Sequence, residues 1–146
     1  MSKPDSAAWT AAKHAGDVTE NYVARLLRSR GADVLKYMGA SKADLEARFI
    51  IECKHDLQAP ASGRVALETA YDGKPSGLHA TTAGQWFIHV GNELYWVGVE
   101  KLREAALTRG YKAVQAGDRR RATVLLMPLG DLRAMSRLVV PVEGIP

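Results

Sequence analysis

The chain has 146 residues, is 47% hydrophobic and 25% charged, and carries a net charge of +4 with a pI near 9.3. Its one cysteine rules out an internal disulfide, no Cys/His spacing marks a zinc site, and no apolar run approaches the roughly 20 residues a helix needs to cross a bilayer. A disulfide scaffold and a helical membrane protein are thereby excluded. A single domain over residues 1–146 in a reducing, cytoplasmic setting is expected, with a mild lean toward a polyanionic partner.

Met1–Trp9 is polar and lacks a signal-peptide apolar run, and residues 1–12 read as a flexible arm. A helix is expected from Asp17 to Arg30, capped by Asp17 or Thr19, favoured at its end by Arg28 and Arg30, and stopped by Gly31. Val18, Tyr22, Val23, Leu26 and Leu27 supply its apolar stripe, with Glu20 at the edge of that face. Strands are expected at Val34–Met38, Lys42–Ala47 and Phe49–Lys54, the last two joined as a tight hairpin. A loop then leads to a strand at Arg64–Ala70 and an exposed turn at Tyr71–Gly77. A short helix is expected from Thr81 to Trp86. Two strands, Trp86–Val90 and Glu93–Val99, turn around Gly91-Asn92, a hairpin signal. A helix over Glu100–Arg109 ends at Gly110. A basic loop follows at Gly117–Arg121, then a strand at Ala122–Met127, a short helix or turn at Leu129–Met135, and a tail from Val139. The fold class expected is α/β, a central mixed β-sheet flanked by helices.

The chemistry concentrates in Lys42–Asp56, K-A-D-L-E-A-R-F-I-I-E-C-K-H-D. A strand alternates its faces with a period of two, so Glu52 and Lys54 share one face and Phe49, Ile51 and Cys53 the other, expected to face the core. Asp44 supplies a second carboxylate. Two converging carboxylates hold a hard divalent cation such as Mg²⁺, and a lysine beside it orients water or stabilises phosphate charge. That set suits phosphodiester hydrolysis. Glu46 shares the parity of Asp44 and competes for its role, and Glu68 on the next strand is a candidate for the same cleft. The same charges also suit a plain edge hairpin, which carries Lys and Glu to block aggregation. Arg119-Arg120-Arg121 and Lys74 read either as solvated loop charges or as contacts to phosphate. Trp86, Tyr95 and Trp96 sit in apolar runs and read as core.

Asp44 followed by Glu52-x-Lys54 resembles the PD-(D/E)xK nuclease superfamily, whose restriction-endonuclease-like core is the implied fold. Within it the first 56 residues are most similar to the archaeal-type Holliday-junction resolvases, which also occur in phages. The likeness rests on Lys13-His14-Ala15-Gly16-Asp17-Val18-Thr19-Glu20 opening the first helix, Gly31-Ala32-Asp33-Val34 leading into a strand, and the Gly39-Ala40-Ser41 loop before the acid. Ala43 stands where the family usually has Pro, and Arg64–Thr82 departs from its pattern.

The resemblance implies metal-binding acids at Asp44, Glu52 and Glu20, with the Cys53 backbone carbonyl as a further ligand. It also implies a water- or phosphate-positioning role for Lys54, and a place for Ser41 near the scissile phosphate. Lys13, Lys42, Lys74, Arg119, Arg120 and Arg121 are the expected DNA contacts. The activity implied is a Mg²⁺-dependent endonuclease (Mn²⁺ substituting) that acts as a homodimer and resolves four-way junctions by paired nicks, encoded by a virus or a cell. A sequence-specific or nicking enzyme of the same fold, and a non-cleaving DNA-binding module, are the alternatives.

Overall fold

The computed structural model describes residues 6–38 and 43–143. The chain divides into two compact units, Met1–Phe49 and Ile50–Pro146.

In the first unit, helix α1 spans Ser6–Arg28. It covers much of the stretch read as an arm, because the run S-A-A-W-T-A-A-K-H-A is rich in alanine, the strongest helix former, and the lone Gly16 costs only about 1 kcal/mol. Strands β1 (Ala32–Lys36) and β2 (Leu45–Phe49) pair antiparallel, Ala32 opposite Phe49 and Lys36 opposite Leu45. Ala24, Ala32 and Val34 form a small core with Leu27, Leu45 and Phe49. The expected apolar stripe therefore divides. Leu27 packs inward beside Ala24, which lay outside the expected stripe, whereas Val18, Tyr22 and Leu26, four residues apart along another ridge, are exposed.

The second unit begins with β3 (Ile51–His55) and α2 (Ala59–Ser62), then β4 (Arg64–Tyr71) and β5 (Lys74–Pro75). A single 3₁₀ turn, Gly77–His79, precedes β6 (Gln85–Val90) and β7 (Glu93–Gly98). Helix α3 (Val99–Thr108), β8 (Lys112–Ala116), a second 3₁₀ turn (Asp118–Arg120), β9 (Ala122–Pro128), α4 (Leu129–Met135) and β10 (Leu138–Pro141) complete it. The protein is thus of mixed α/β class, but its strands do not form one central sheet. One four-stranded sheet has the order β10-β7-β6-β3 and is mixed, with β3 parallel to β6; the other, β5-β4-β9-β8, is antiparallel. The core lies between elements of both, around Leu67, Leu78, Trp86, Ile88, Val97, Leu102, Met127 and Leu132.

Two expectations fail here for physical reasons. β3 takes its ladder from β6 and not from a hairpin, since the single residue Ile50 between Phe49 and Ile51 is too short for a reversal that needs about two. No helix forms from Thr81 to Trp86. The Thr81 hydroxyl instead accepts from the Ala83 N–H at 3.1 Å, a local turn that competes with helix, and Gly84 N–H donates to the Ile50 carbonyl at 3.1 Å, starting β6.

Candidate functional site

β3 is the edge strand of its sheet, and its register sets Glu52 beside Trp86 and Lys54 beside Ile88. Trp86 and Ile88 are buried, so the Glu52/Lys54 face is the one turned toward the core, while Ile51 and Cys53 are exposed. The alternation expected from the sequence holds and its sense is reversed. What makes this tolerable is pairing. Lys54 Nζ lies 3.0 Å from Glu52 Oε1 and 4.6 Å from the centre of the Trp86 ring, so its stem covers apolar surface while its charge stays at the rim. The side chains of Glu52 and Lys54 keep 34% and 29% of their exposure.

The other carboxylate oxygen, Oε2, accepts from the Thr81 hydroxyl at 2.7 Å. An ionised carboxylate can only accept, so the hydroxyl gives its proton to Glu52 while its oxygen accepts from Ala83 N–H. The segment bearing Thr81 is itself tied down. Thr81 N–H donates to the Gly77 carbonyl at 2.9 Å, and Arg103 of α3 donates from Nη2 to the Thr81 carbonyl at 3.0 Å and from Nε to the Leu78 carbonyl at 3.1 Å. Trp86 Nε1 is buried without a hydrogen-bond partner among the described residues, and its N–H dipole still favours the Glu52 charge. Burial acts to raise the Glu52 carboxyl, but Thr81, Lys54 and Trp86 together outweigh it and hold the group below its ordinary range. Glu52 is therefore an anion at neutral pH.

Lys54 also lines a cleft of about 470 Å³ with His55, Asp56, Ala66 and Glu68, among others. Glu68 accepts from the Ser76 hydroxyl at 2.6 Å and stands next to an irregularity between Glu68 and Ala70 in the β4–β9 ladder. Glu68 and Lys54 thus line the same cleft. Asp56 is structural. Its Oδ1 accepts from the N–H groups of Gln58 and Ala59 at 3.0 and 2.9 Å, and its Oδ2 from Ala66 N–H at 2.9 Å, so it caps α2 and pins β4.

The backbone of β3 adds one acceptor. Gln85 N–H reaches the Ile50 carbonyl and Asp56 N–H the His89 carbonyl, which turns the even-numbered residues toward β6. The Cys53 carbonyl accordingly points to the outer edge of the sheet. A carbonyl oxygen there, with the ionised Glu52 on the same strand, is a donor set that suits a hard cation.

The remaining expected site residues lie in the first unit or on its described margin. Glu20 is half-buried on α1 and pairs with Lys36 Nζ at 3.1 Å. Asp44 is exposed just ahead of β2, its carbonyl accepting from Tyr37 N–H at 2.9 Å. Its competitor Glu46 is already engaged, by the Tyr37 hydroxyl at 2.5 Å and Arg48 Nε at 2.8 Å, and those two hydrogen bonds hold its carboxyl below the usual range. Lys13 is exposed and packs its ammonium 5.6 Å from the centre of the Trp9 ring. Ser41 and Lys42 lie outside the described residues. Among the described residues no group of three or more His, Cys, Asp or Glu side chains stands ready to hold a metal ion, and no helix is long and apolar enough to cross a membrane.

Of the expected DNA contacts in the second unit, Lys74, Arg119 and Arg120 are exposed. Arg121 is not free for that role. It forms a two-pronged ion pair with Asp72, Nε to Oδ1 at 2.6 Å and Nη2 to Oδ2, and stacks 5.1 Å from the centre of the Tyr71 ring. Thr81 was not legible as a site residue, since its contact with Glu52 spans 29 residues of sequence and carries no local signal.

Comparison with protein-family models, with curated proteins and with solved structures finds no match.

Proposed function

We propose that the protein is a Mg²⁺-dependent DNA endonuclease with a restriction-endonuclease-like core, selective for branched DNA and above all for four-way junctions. The observation that carries this reading is the Glu52–Lys54 pair on an edge strand: a carboxylate held ionised and oriented at both oxygens, against a lysine that lines an open cleft.

In this reading Glu52 and the outward Cys53 carbonyl supply oxygen ligands, and Lys54 holds the attacking water or a phosphate oxygen. A cation held there would supply a water of lowered pKa and would offset negative charge on the phosphate. Thr81 keeps Glu52 in one rotamer, and Trp86 gives Lys54 a flat apolar seat. Asp44 and Glu20 are assigned acid roles by the resemblance alone. A two-fold-symmetric junction calls for two such sites, hence a homodimer.

The test is a gel cleavage assay on a synthetic four-way junction, a matched linear duplex and a single strand, with and without Mg²⁺, for wild type and Lys54→Met. Paired symmetric nicks in the junction alone, lost in Lys54→Met while junction binding persists, are the expected result. Cutting of the linear duplex as well replaces the junction claim with a general or sequence-specific nuclease. Tight binding with no cutting in any divalent metal replaces it with a binding module.

A further inference from the structure

The antiparallel sheet β5-β4-β9-β8 ends in two turns on the same side. Tyr71 of β4 sits opposite Ala122 of β9, so the Asp72-Gly73 turn after β4 and the Asp118–Arg120 turn before β9 are neighbours. They are buckled together. Asp72 takes the Arg121 guanidinium at both oxygens, Asp72 N–H donates to the Arg121 carbonyl at 2.9 Å, and Tyr71 supports the guanidinium from below. With Arg121 and Asp72 neutralising each other, Lys74, Arg119 and Arg120 remain as exposed cations beside one exposed acid, Asp118.

The backbone under those arginines is unusual. Arg119 and Arg120 adopt φ of 51° and 53°, the left-handed region that disfavours any residue with a Cβ. Elsewhere among the described residues the chain gives positive φ to glycine or to Asp72. Two consecutive arginines thus occupy positions that glycine would fill at lower strain. Strain of this kind collects at ligand-contacting segments.

We propose that this end of the sheet is a phosphate-contacting surface for duplex DNA, with Lys74, Arg119 and Arg120 as the contacting cations and the Asp72–Arg121 pair as the buckle that fixes the two turns. The proposal rests on the DNA-directed reading above and extends it: this surface supplies affinity and register without touching the chemistry, as backbone contacts do.

The test is fluorescence anisotropy of the full chain on a labelled linear duplex, in Ca²⁺ to avoid turnover, across a KCl series. Each phosphate contact contributes about 0.9 to the slope of log affinity against log salt. The triple variant Lys74→Ala/Arg119→Ala/Arg120→Ala is expected to bind more weakly and to flatten the slope by about 2.7 at full loss of three contacts. A control with the same charge change elsewhere, Lys101→Ala/Arg109→Ala/Lys112→Ala, is expected to keep the wild-type slope. Arg119→Gly/Arg120→Gly gives a second signature: its melting temperature rises by a few degrees as the strain is relieved, while DNA affinity falls. An unchanged slope in the Lys74/Arg119/Arg120 variant, or equal flattening in the control, overturns this surface and leaves the nuclease reading in place. Wild type that shows no salt-dependent binding to any duplex or junction overturns both.

Discussion

Gly77 is the position whose change the structure prices most clearly. It opens the 3₁₀ turn that lies against β4, with φ +49°, and a Cβ built there would stand 2.3 Å from the Glu68 carbonyl oxygen and 2.9 Å from both the Glu68 carbonyl carbon and Cβ. Ordinary carbon–oxygen contacts sit at roughly 3.3–3.6 Å, so Gly77→Ala must push the turn about 1 Å off the strand. The obstacle is backbone within a bonded sheet and cannot rotate away. The left-handed conformation costs an alanine about 1–2 kcal/mol and overpacking adds about 1–3, against a gain of about 0.4–1 from a stiffer unfolded chain. The net expectation is a loss of roughly 1–4.6 kcal/mol, centred on about 3, a large share of the 5–15 kcal/mol typical of a domain. Gly73→Ala provides the control: its φ is +74° and nothing lies within 4 Å of the added carbon, so only the conformational cost of about 1 kcal/mol remains. Urea unfolding followed by tryptophan fluorescence reads both variants. If Gly77→Ala costs no more than Gly73→Ala, the close packing of this turn on Glu68 is wrong, and with it the rigid mounting of Thr81 that follows four residues later.

Thr81→Val removes the donor that orients Glu52. Hydrogen bonds to charged groups contribute about 1.5–3 kcal/mol, so under the proposed nuclease reading kcat is expected to fall roughly 10–100-fold with KM for DNA little changed, and Thr81→Ser to restore most of it. Single-turnover cleavage decides; equal loss in the Ser variant would falsify the positioning role. Alkaline stability follows from Tyr111, whose phenol is pushed up to about 12 by burial, by its 2.7 Å hydrogen bond to Asp131 and by that carboxylate's charge. A folded pKa above the unfolded value of about 10 means the contribution is complete below pH 10 and is lost as pH climbs from 10 to 12, by a few kcal/mol at most. Unfolding curves at pH 9 and pH 11.5 should therefore differ more for wild type than for Tyr111→Phe.

What the sequence alone determined were features written in neighbouring residues. The Gly91-Asn92 turn, the α3 stop at Gly110, the β9 strand and the α4 turn all came from caps, breakers and short apolar runs, and all stand in the structure. So did the two-faced alternation of Glu52, Lys54 and their neighbours, because a strand's period of two is local geometry. What only the tertiary structure decided were matters of partner. Which face of β3 meets the core depends on its parallel register with β6, more than 30 residues on, and that register put Glu52 and Lys54 over Trp86 and left Ile51 and Cys53 outside. β8, alternating weakly and mostly exposed, becomes a strand because β9 offers it a ladder. Thr81 left its expected helix for a carboxylate 29 residues back, and Arg121 left an apparent basic run for Asp72, 49 residues away. Hydrogen-bond and charge partners at such separations are chosen by the packing of the sheets, which no window of sequence contains.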